Sequence, residues 1–347
     1  MRTGIHCALA GAALFGASTP LAKLLVGEIS PVMLAGLLYA GSGIGLSLWL
    51  AVRPLIGPAV QRPRFVVRDY KWLAGAVFVG GMAGPVLLMF GLAATPASTA
   101  SLLLNLEGVL TAILAWFAFR ENFDRRVAVG MFLIVAGGVL LSVQPGEFAL
   151  SWPALAIALA CLCWAVDNNL TRMISAGDAV KIAAIKGLIA GVLNLGLSAV
   201  IQAPLPAGKV VAAAAFVGLL GYGISLTLFV VALRHLGTAR TGAYFSTAPF
   251  IGAGLSFALL GEGPDAIFWI AAALMAAGVA LHLGERHQHL HSHDSLTHDH
   301  AHSHDEHHSH RHDFTWDGKE PHSHEHHHQP VSHSHEHYPD IHHRHGH

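Results

Sequence analysis

The strongest chemical signal in this sequence is a C-terminal segment in which histidine alternates with serine and acidic residues. Residues 287–347 hold 24 of the 27 histidines of the 347-residue chain. Neutral imidazoles bind zinc, nickel or cobalt, and such irregular tracts do not select one metal. The segment therefore predicts divalent-metal binding. The predicted ligands are His287, His289, His291, His293, His298, His300, His302, His304, His307, His308, His310, His312, His322, His324, His326, His327 and His328.

No apolar periodicity runs through this histidine-rich tail, so we expect it to be disordered when metal-free. Storage, sensing and delivery of metal are all compatible with such a segment. A second interpretation is pH sensing, because each imidazole titrates near its ordinary pKa of about 6.5. Full protonation would make the acidic tail strongly positive and favour its binding to anionic lipid.

Ionisable residues inside apolar stretches are the second group that could do chemistry, because each is costly in hydrocarbon without a cavity or partner. Glu107 lies about ten residues into its stretch, which places it roughly 15 Å deep. It is predicted to be a substrate or proton site, or else a neutral structural carboxyl. Asp167 and Lys186 flank one hairpin at equal depth, which predicts an ion pair, a gate or a cation site. Asn168 extends the polar face beside Asp167.

Glycine-rich interruptions are a further indication of a binding site, since irregular backbone inside a membrane is tolerated where it lines a cavity. Gly80 lies in GGMAGP, and Gly221 and Tyr222 lie in GYG at the corresponding point of a later stretch. Thr19, one turn before Lys23 in the first span, is a further substrate or coupling candidate. We expect Lys23 to reach the membrane surface by snorkelling.

These residues lie on apolar segments long enough to cross a bilayer. The mean hydropathy of +0.51 is too high for a soluble domain of this length. Segments of about 20 apolar residues match the roughly 30 Å hydrocarbon core. The ten predicted spans are about 4–25, 32–52, 72–92, 97–119, 126–144, 152–173, 180–201, 210–233, 240–260 and 265–284.

The spans form two copies of one pattern. Residues 73–145 match residues 214–286 at a shift of 141, which aligns Gly80 with Gly221 and Glu121 with Glu262. Lysine and arginine concentrate at alternate breaks, which predicts that both termini are cytoplasmic. Because five spans are an odd number, the second copy must enter the membrane inverted. The predicted fold is all-α: ten transmembrane helices in two inverted five-helix repeats, 1–145 and 146–286, with a disordered cytoplasmic tail, 287–347.

Three segments of the sequence resemble the paired EamA domains of the drug/metabolite transporter superfamily. They are FGASTPLAKLL (15–25), STASLLLNLEGVLTAILAWFAFRE (98–121) and ARTGAYFSTAPFIGAGLSFALLGE (239–262). The sequence departs from the usual pattern at Arg120, where glycine commonly precedes the glutamate, and at Gly108, where the first copy often has proline. We therefore expect a proline kink to be missing near Gly108.

The resemblance implies a carrier in a bacterial-type cytoplasmic membrane that works by alternating access, usually as an exporter of small metabolites or as an importer driven by an ion gradient. No G-x-x-x-x-G-K-[ST] loop occurs, which favours secondary transport, and no catalytic constellation indicates an enzyme. Two alternatives are a divalent-metal exporter fed by the tail and a membrane-anchored metal buffer or sensor. The expected partners are the lipid bilayer, a small-molecule substrate and divalent metal ions, with no nucleic acid and no required cofactor. A homodimer is compatible with the sequence.

Overall fold

The computed structural model describes residues 2–56, 67–119, 125–143, 151–175 and 177–283, and the backbone of four short strands beyond them. The predicted boundary between the repeats at residues 145 and 146 lies outside these ranges, as does Glu121. Among the predicted metal ligands, six also lie outside them: His287, His304, His307, His308, His310 and His312.

The described body is helical throughout, as the long apolar segments predict. Its helices are α1 (Arg2–Val26), α2 (Pro31–Ile56), α3 (Val67–Ala76), α4 (Gly84–Ala93), α5 (Ala97–Leu103), α6 (Asn105–Phe119), α7 (Arg125–Ser142), α8 (Trp152–Arg172), α9 (Ala179–Val200), α10 (Gly208–Gly218), α11 (Ser225–Phe245), α12 (Ala248–Leu260) and α13 (Ala266–Leu283). Two π-helical segments, Val77–Ala83 and Leu219–Ile224, join α3 to α4 and α10 to α11.

Nine helical segments of the described chain are long and apolar enough to cross a membrane. They run from Thr3–Val26 to Arg240–Leu260 and correspond in order to the first nine predicted spans. The tenth predicted span is the shorter apolar helix Ala266–His282. We number these segments from the first to the tenth span below.

The contacts between spans repeat in the two halves of the body. The first span packs against the eighth and ninth, and the sixth packs in the same way against the third and fourth. The second span packs against the seventh, and the fifth against the tenth. At the crossing of the second and seventh spans, a Cβ added to Gly187 would lie 2.5 Å from the backbone nitrogen of Gly43. Small residues therefore let these two helices approach closely.

The helix of the fourth span breaks at Leu104, between α5 and α6, without a proline. The Leu104 amide donates to the Ser101 carbonyl at 3.1 Å, and the Glu107 amide donates to the Leu104 carbonyl at 3.1 Å. These three-residue hydrogen bonds tighten the backbone locally. The break at Leu104 is therefore made by backbone hydrogen bonds and needs no proline at position 108.

Four strands lie in the histidine-rich tail: β1 (Gln288–His293), β2 (Leu296–His302), β3 (His322–His328) and β4 (Val331–Glu336). β1 pairs antiparallel with β4, and β2 pairs antiparallel with β3. Disorder of the metal-free tail stays a prediction. Backbone pairing between extended segments supplies each strand with hydrogen bonds and requires no apolar face.

Candidate functional site

The π-helical segment of the third span presents two backbone carbonyls to neighbouring helices. The Gly80 carbonyl accepts from Tyr39 Oη at 3.1 Å and from Trp164 Nε1 at 2.9 Å. The Gly81 carbonyl accepts from Asn194 Nδ2 at 3.1 Å. The glycine-rich segment was predicted to break the helix. Instead the chain stays helical with a wider turn, and side chains of other spans bind its carbonyls.

Asp167 and Lys186 form a buried ion pair between the sixth and seventh spans. Lys186 Nζ lies 2.6 Å from Asp167 Oδ1 and 2.8 Å from Oδ2, and the two side chains are 1% and 6% exposed. Thr171 donates to Asp167 Oδ1 at 2.9 Å and accepts from Lys186 Nζ at 3.2 Å. The Lys186 ammonium thus donates hydrogen bonds to three oxygens. A Cβ on Gly80 would overlap Asp167, so this glycine makes room for the carboxylate.

Glu107 lies in the first turn of α6 and binds a side chain of the sixth span. Asn168 Nδ2 donates to Glu107 Oε1 at 2.8 Å and to Thr111 Oγ1 at 3.2 Å. No described lysine, arginine or histidine forms an ion pair with Glu107. Its carboxyl therefore differs from that of Asp167, which has a cation beside it.

A cavity of about 50 Å³ lies between these helices. It is lined by Phe15, Tyr39, Glu107, Trp164, Asp167, Asn168, Gly221, Tyr222, Ser225, Leu226, Phe229 and Phe245. One water needs roughly 10–15 Å³ in the same measure, so the cavity holds only about three or four waters. A multi-carbon solute therefore requires the surrounding helices to move apart.

Five of the eight predicted substrate or coupling residues line this cavity: Glu107, Asp167, Asn168, Gly221 and Tyr222. The other three predicted residues do not line the cavity. Lys186 binds the lining residue Asp167, and Gly80 contacts three lining residues, Tyr39, Trp164 and Asp167. Thr19 is buried in α1 and is not part of the described lining.

Sequence reasoning missed the aromatic side chains of the cavity. Phe15, Tyr39, Trp164, Phe229 and Phe245 lie within the spans, whereas membrane aromatics concentrate near the two interfaces. The position of these five aromatic residues well inside the spans could have identified them from the sequence. The direction in which each ring points depends on the rotation of its helix, and an almost wholly apolar span does not specify that rotation.

Polar side chains also join helix ends at the predicted outer face. Lys23 Nζ donates to the carbonyls of Leu92 at 2.6 Å and Thr95 at 2.8 Å. The ammonium of Lys23 thus binds carbonyls at the end of α4, and its snorkelling to the membrane surface stays a prediction. The Glu262 carboxylate accepts from the amides of Ala97 at 2.7 Å and Ser98 at 2.8 Å. The glutamate that follows the ninth span thus caps a helix of the first copy.

Comparison with known proteins identifies relatives of the same architecture. The family model described as EamA-like transporter family matches residues 2–143 and again 151–284. The two copies thus begin 149 residues apart and end 141 residues apart. The shift of 141 residues found between 73–145 and 214–286 therefore describes the last three spans of each copy.

One curated relative is described as an uncharacterized transporter of Methanothermobacter thermautotrophicus. It is 27% identical over 282 residues, covering 76% of this chain and 81% of the relative. A crystal structure of another protein has a TM-score of 0.60 at 20% identity, covering 80% of this chain and 95% of that chain. At this identity the structural likeness concerns the fold alone.

We predict that Lys186→Met lowers the free energy of unfolding by about 3–5 kcal/mol, because it leaves the Asp167 carboxylate buried without a cation. Adding Asp167→Asn should restore part of that loss. Denaturant unfolding in mixed micelles measures the four members of this double-mutant cycle.

The matched control is Lys181→Met, which removes an exposed lysine from the same helix. An equal loss for Lys181→Met and Lys186→Met would contradict a stabilising buried pair, as would a double variant no more stable than Lys186→Met.

Proposed function

Because the chain belongs to the EamA-like transporter family, in which both halves of its helical body match, we propose that it is a secondary-active exporter of small metabolites. The family membership establishes membrane transport of small solutes. The direction, the energy source and the site are our proposal. Alternating access requires two groups of helices that move about a shared site, and a two-copy body supplies them.

We propose ten spans arranged as two five-helix repeats of opposite orientation, with both termini in the cytoplasm. Support comes from the concentration of lysine and arginine at alternate breaks and from the matched packing of the two halves. The tenth span, Ala266–His282, has 17 residues, at the short end of the range that spans a bilayer.

The observation that carries the proposal is the position of Glu107 in a cavity built from both copies. Phe15, Tyr39 and Glu107 come from the first copy, whereas Trp164 and Phe229 come from the second. A carboxyl there changes its charge when it binds or releases a proton or a cation. Movement of one copy against the other would expose it to each side in turn.

Export is favoured because the cavity lining extends toward the predicted cytoplasmic face. Asp167 lies five residues before the predicted cytoplasmic end of the sixth span, and Phe229 lies seven before that of the eighth. Helix ends are tied together at both predicted faces, by Lys23 and Glu262 at the outer face and by Arg53 and Arg234 at the cytoplasmic face. Only the depth of the lining thus supports export. A cytosolic solute would therefore have the shorter path to the site.

A metal exporter fits the body less well. A metal path needs several nitrogen, sulfur or oxygen ligands that converge. Within the described residues, no group of three or more histidine, cysteine, aspartate or glutamate side chains could hold a metal ion. The cavity offers two carboxyls, and one of them is paired with Lys186.

The tail has a second proposed function, which is to bind divalent metal in the cytosol. In the register of β2 with β3, His298, His300 and His302 are opposite His326, His324 and His322. The support for this proposal is the sequence itself, in which histidine alternates with serine and acidic residues, because neutral imidazoles bind zinc, nickel or cobalt.

We predict that Glu107→Gln reduces transport at least about tenfold without reducing the amount of folded protein, because the site acts through its charge or its proton. Proteoliposomes loaded with a defined mixture of amino acids, amines and sugars allow efflux to be quantified by mass spectrometry. Glu28→Gln removes an exposed carboxyl and should keep flux within about twofold of wild type. Full flux with Glu107→Gln would assign this residue to structure.

Truncation after Arg286 should leave insertion, thermal stability and transport in metal-free buffer unchanged, because it removes no span. Zinc and nickel binding by calorimetry should nearly vanish, since the three remaining histidines are dispersed in the chain. If the truncated protein stays folded but transports nothing, the tail belongs to the transport path and the metal exporter becomes the better proposal.

A further inference from the structure

The two carboxyls of the cavity have different electrostatic environments. Asp167 is neutralised by Lys186, whose three hydrogen bonds go to Asp167 and Thr171. Glu107 accepts one amide hydrogen bond from Asn168 and forms no ion pair with any described side chain. In its ionised form Glu107 therefore has no counter-charge among the described side chains. A buried carboxylate without a counter-charge is unfavourable, so a cation bound beside it would be strongly favoured.

Apart from the Tyr222 hydroxyl, the polar groups that line the cavity direct their hydrogen-bond donors elsewhere. Tyr39 and Trp164 donate to the Gly80 carbonyl, and Ser225 donates to the Gly11 carbonyl at 2.8 Å. The Asn168 amide donates to Glu107 and Thr111. An anionic ligand would need donors that these four side chains already use. The lining thus disfavours anions as well as favouring cations.

Aromatic rings form the largest part of the remaining wall. The Phe15 ring centroid lies 5.8 Å from that of Trp164, 5.9 Å from Tyr222 and 5.4 Å from Phe245. Tyr39 continues the set through Tyr222, and Phe229 continues it through Phe245. Ring faces attract ammonium groups and pack against apolar bodies, most strongly where water is excluded.

From these three observations we infer that the transported solutes are organic cations, in which an ammonium group is attached to an apolar or aromatic body. The ammonium would lie against Glu107, and the apolar body would contact the rings around Phe15. This inference rests on the proposed carrier function and names the substrate class of the same cavity. The contracted volume of about 50 Å³ means that the rings must separate to admit the body of the solute.

Three probes of similar shape and different charge test this inference: 2-phenylethylamine as a cation, 2-phenylethanol as a neutral molecule and phenylacetate as an anion. Binding is measured by calorimetry with the full chain in lipid nanodiscs at neutral pH. We expect the amine to bind at least about tenfold more tightly than the alcohol, and phenylacetate to bind most weakly. Equal affinity for all three, or tightest binding of phenylacetate, would overturn the inference.

Two variants locate the preference in the cavity. Glu107→Gln should bring the amine and the alcohol within about threefold of each other, while Glu28→Gln should keep the wild-type preference. Phe15→Leu keeps an apolar side chain but removes a ring, and it should weaken amine binding more than alcohol binding. If the preference for the amine over the alcohol survives both cavity variants, the assignment to this site is overturned. If Glu107→Gln does not fold, the three-probe comparison on the wild-type protein decides the inference.

Binding and flux separate this inference from the carrier proposal. Selective amine binding with no flux of any solute in proteoliposomes would contradict the carrier and leave the cation site standing. Glu107-dependent flux of a neutral or anionic solute, not inhibited by 2-phenylethylamine, would overturn the cation inference and leave the carrier standing.

Discussion

Hydrocarbon offers no hydrogen bonds, so a polar group inside the spans is costly unless the protein itself supplies a partner. That constraint explains why the polar side chains of the sixth span and its neighbours form a connected cluster. The Gly80 carbonyl, exposed by a wide helical turn, binds Tyr39 and Trp164, and the same glycine makes room for Asp167. The carboxylate of Asp167 in turn binds Lys186. Each group stays buried because the next one supplies its partner, and the cavity lies where this cluster ends.

The cavity lies between the two copies of one helical pattern. The first span packs against the eighth and ninth, as the sixth packs against the third and fourth, so side chains from both copies meet between them. π-helical turns lie at corresponding points, Val77–Ala83 and Leu219–Ile224. Such turns widen the helix locally, and the carbonyl exposed at Gly80 is bound by side chains of neighbouring spans. In the proposed site, Glu107 is the carboxyl that has no ion pair with a described side chain.

The sequence was informative where a physical constraint acts on one helix or one hairpin. Span length follows from bilayer thickness, and the contact of Asp167 with Lys186 follows from their equal depth beside one hairpin. Family membership followed from the repeated segments around Glu107 and Glu262. The aromatic wall could not be predicted, because apolar spans do not reveal how Phe15 or Phe245 is rotated. The break at Leu104 escaped prediction because it is made by backbone hydrogen bonds, without a proline.

Accessibility of the cavity from the two sides of the membrane is the most direct test of alternating access. Ser225→Cys places a thiol in the lining, in a background where Cys7, Cys161 and Cys163 are replaced by alanine. A membrane-impermeant thiol reagent is applied to right-side-out and inside-out vesicles. Movement of the two copies about this cavity predicts labelling from both sides. Labelling from one side alone, under energised and de-energised conditions alike, would contradict alternating access at this site.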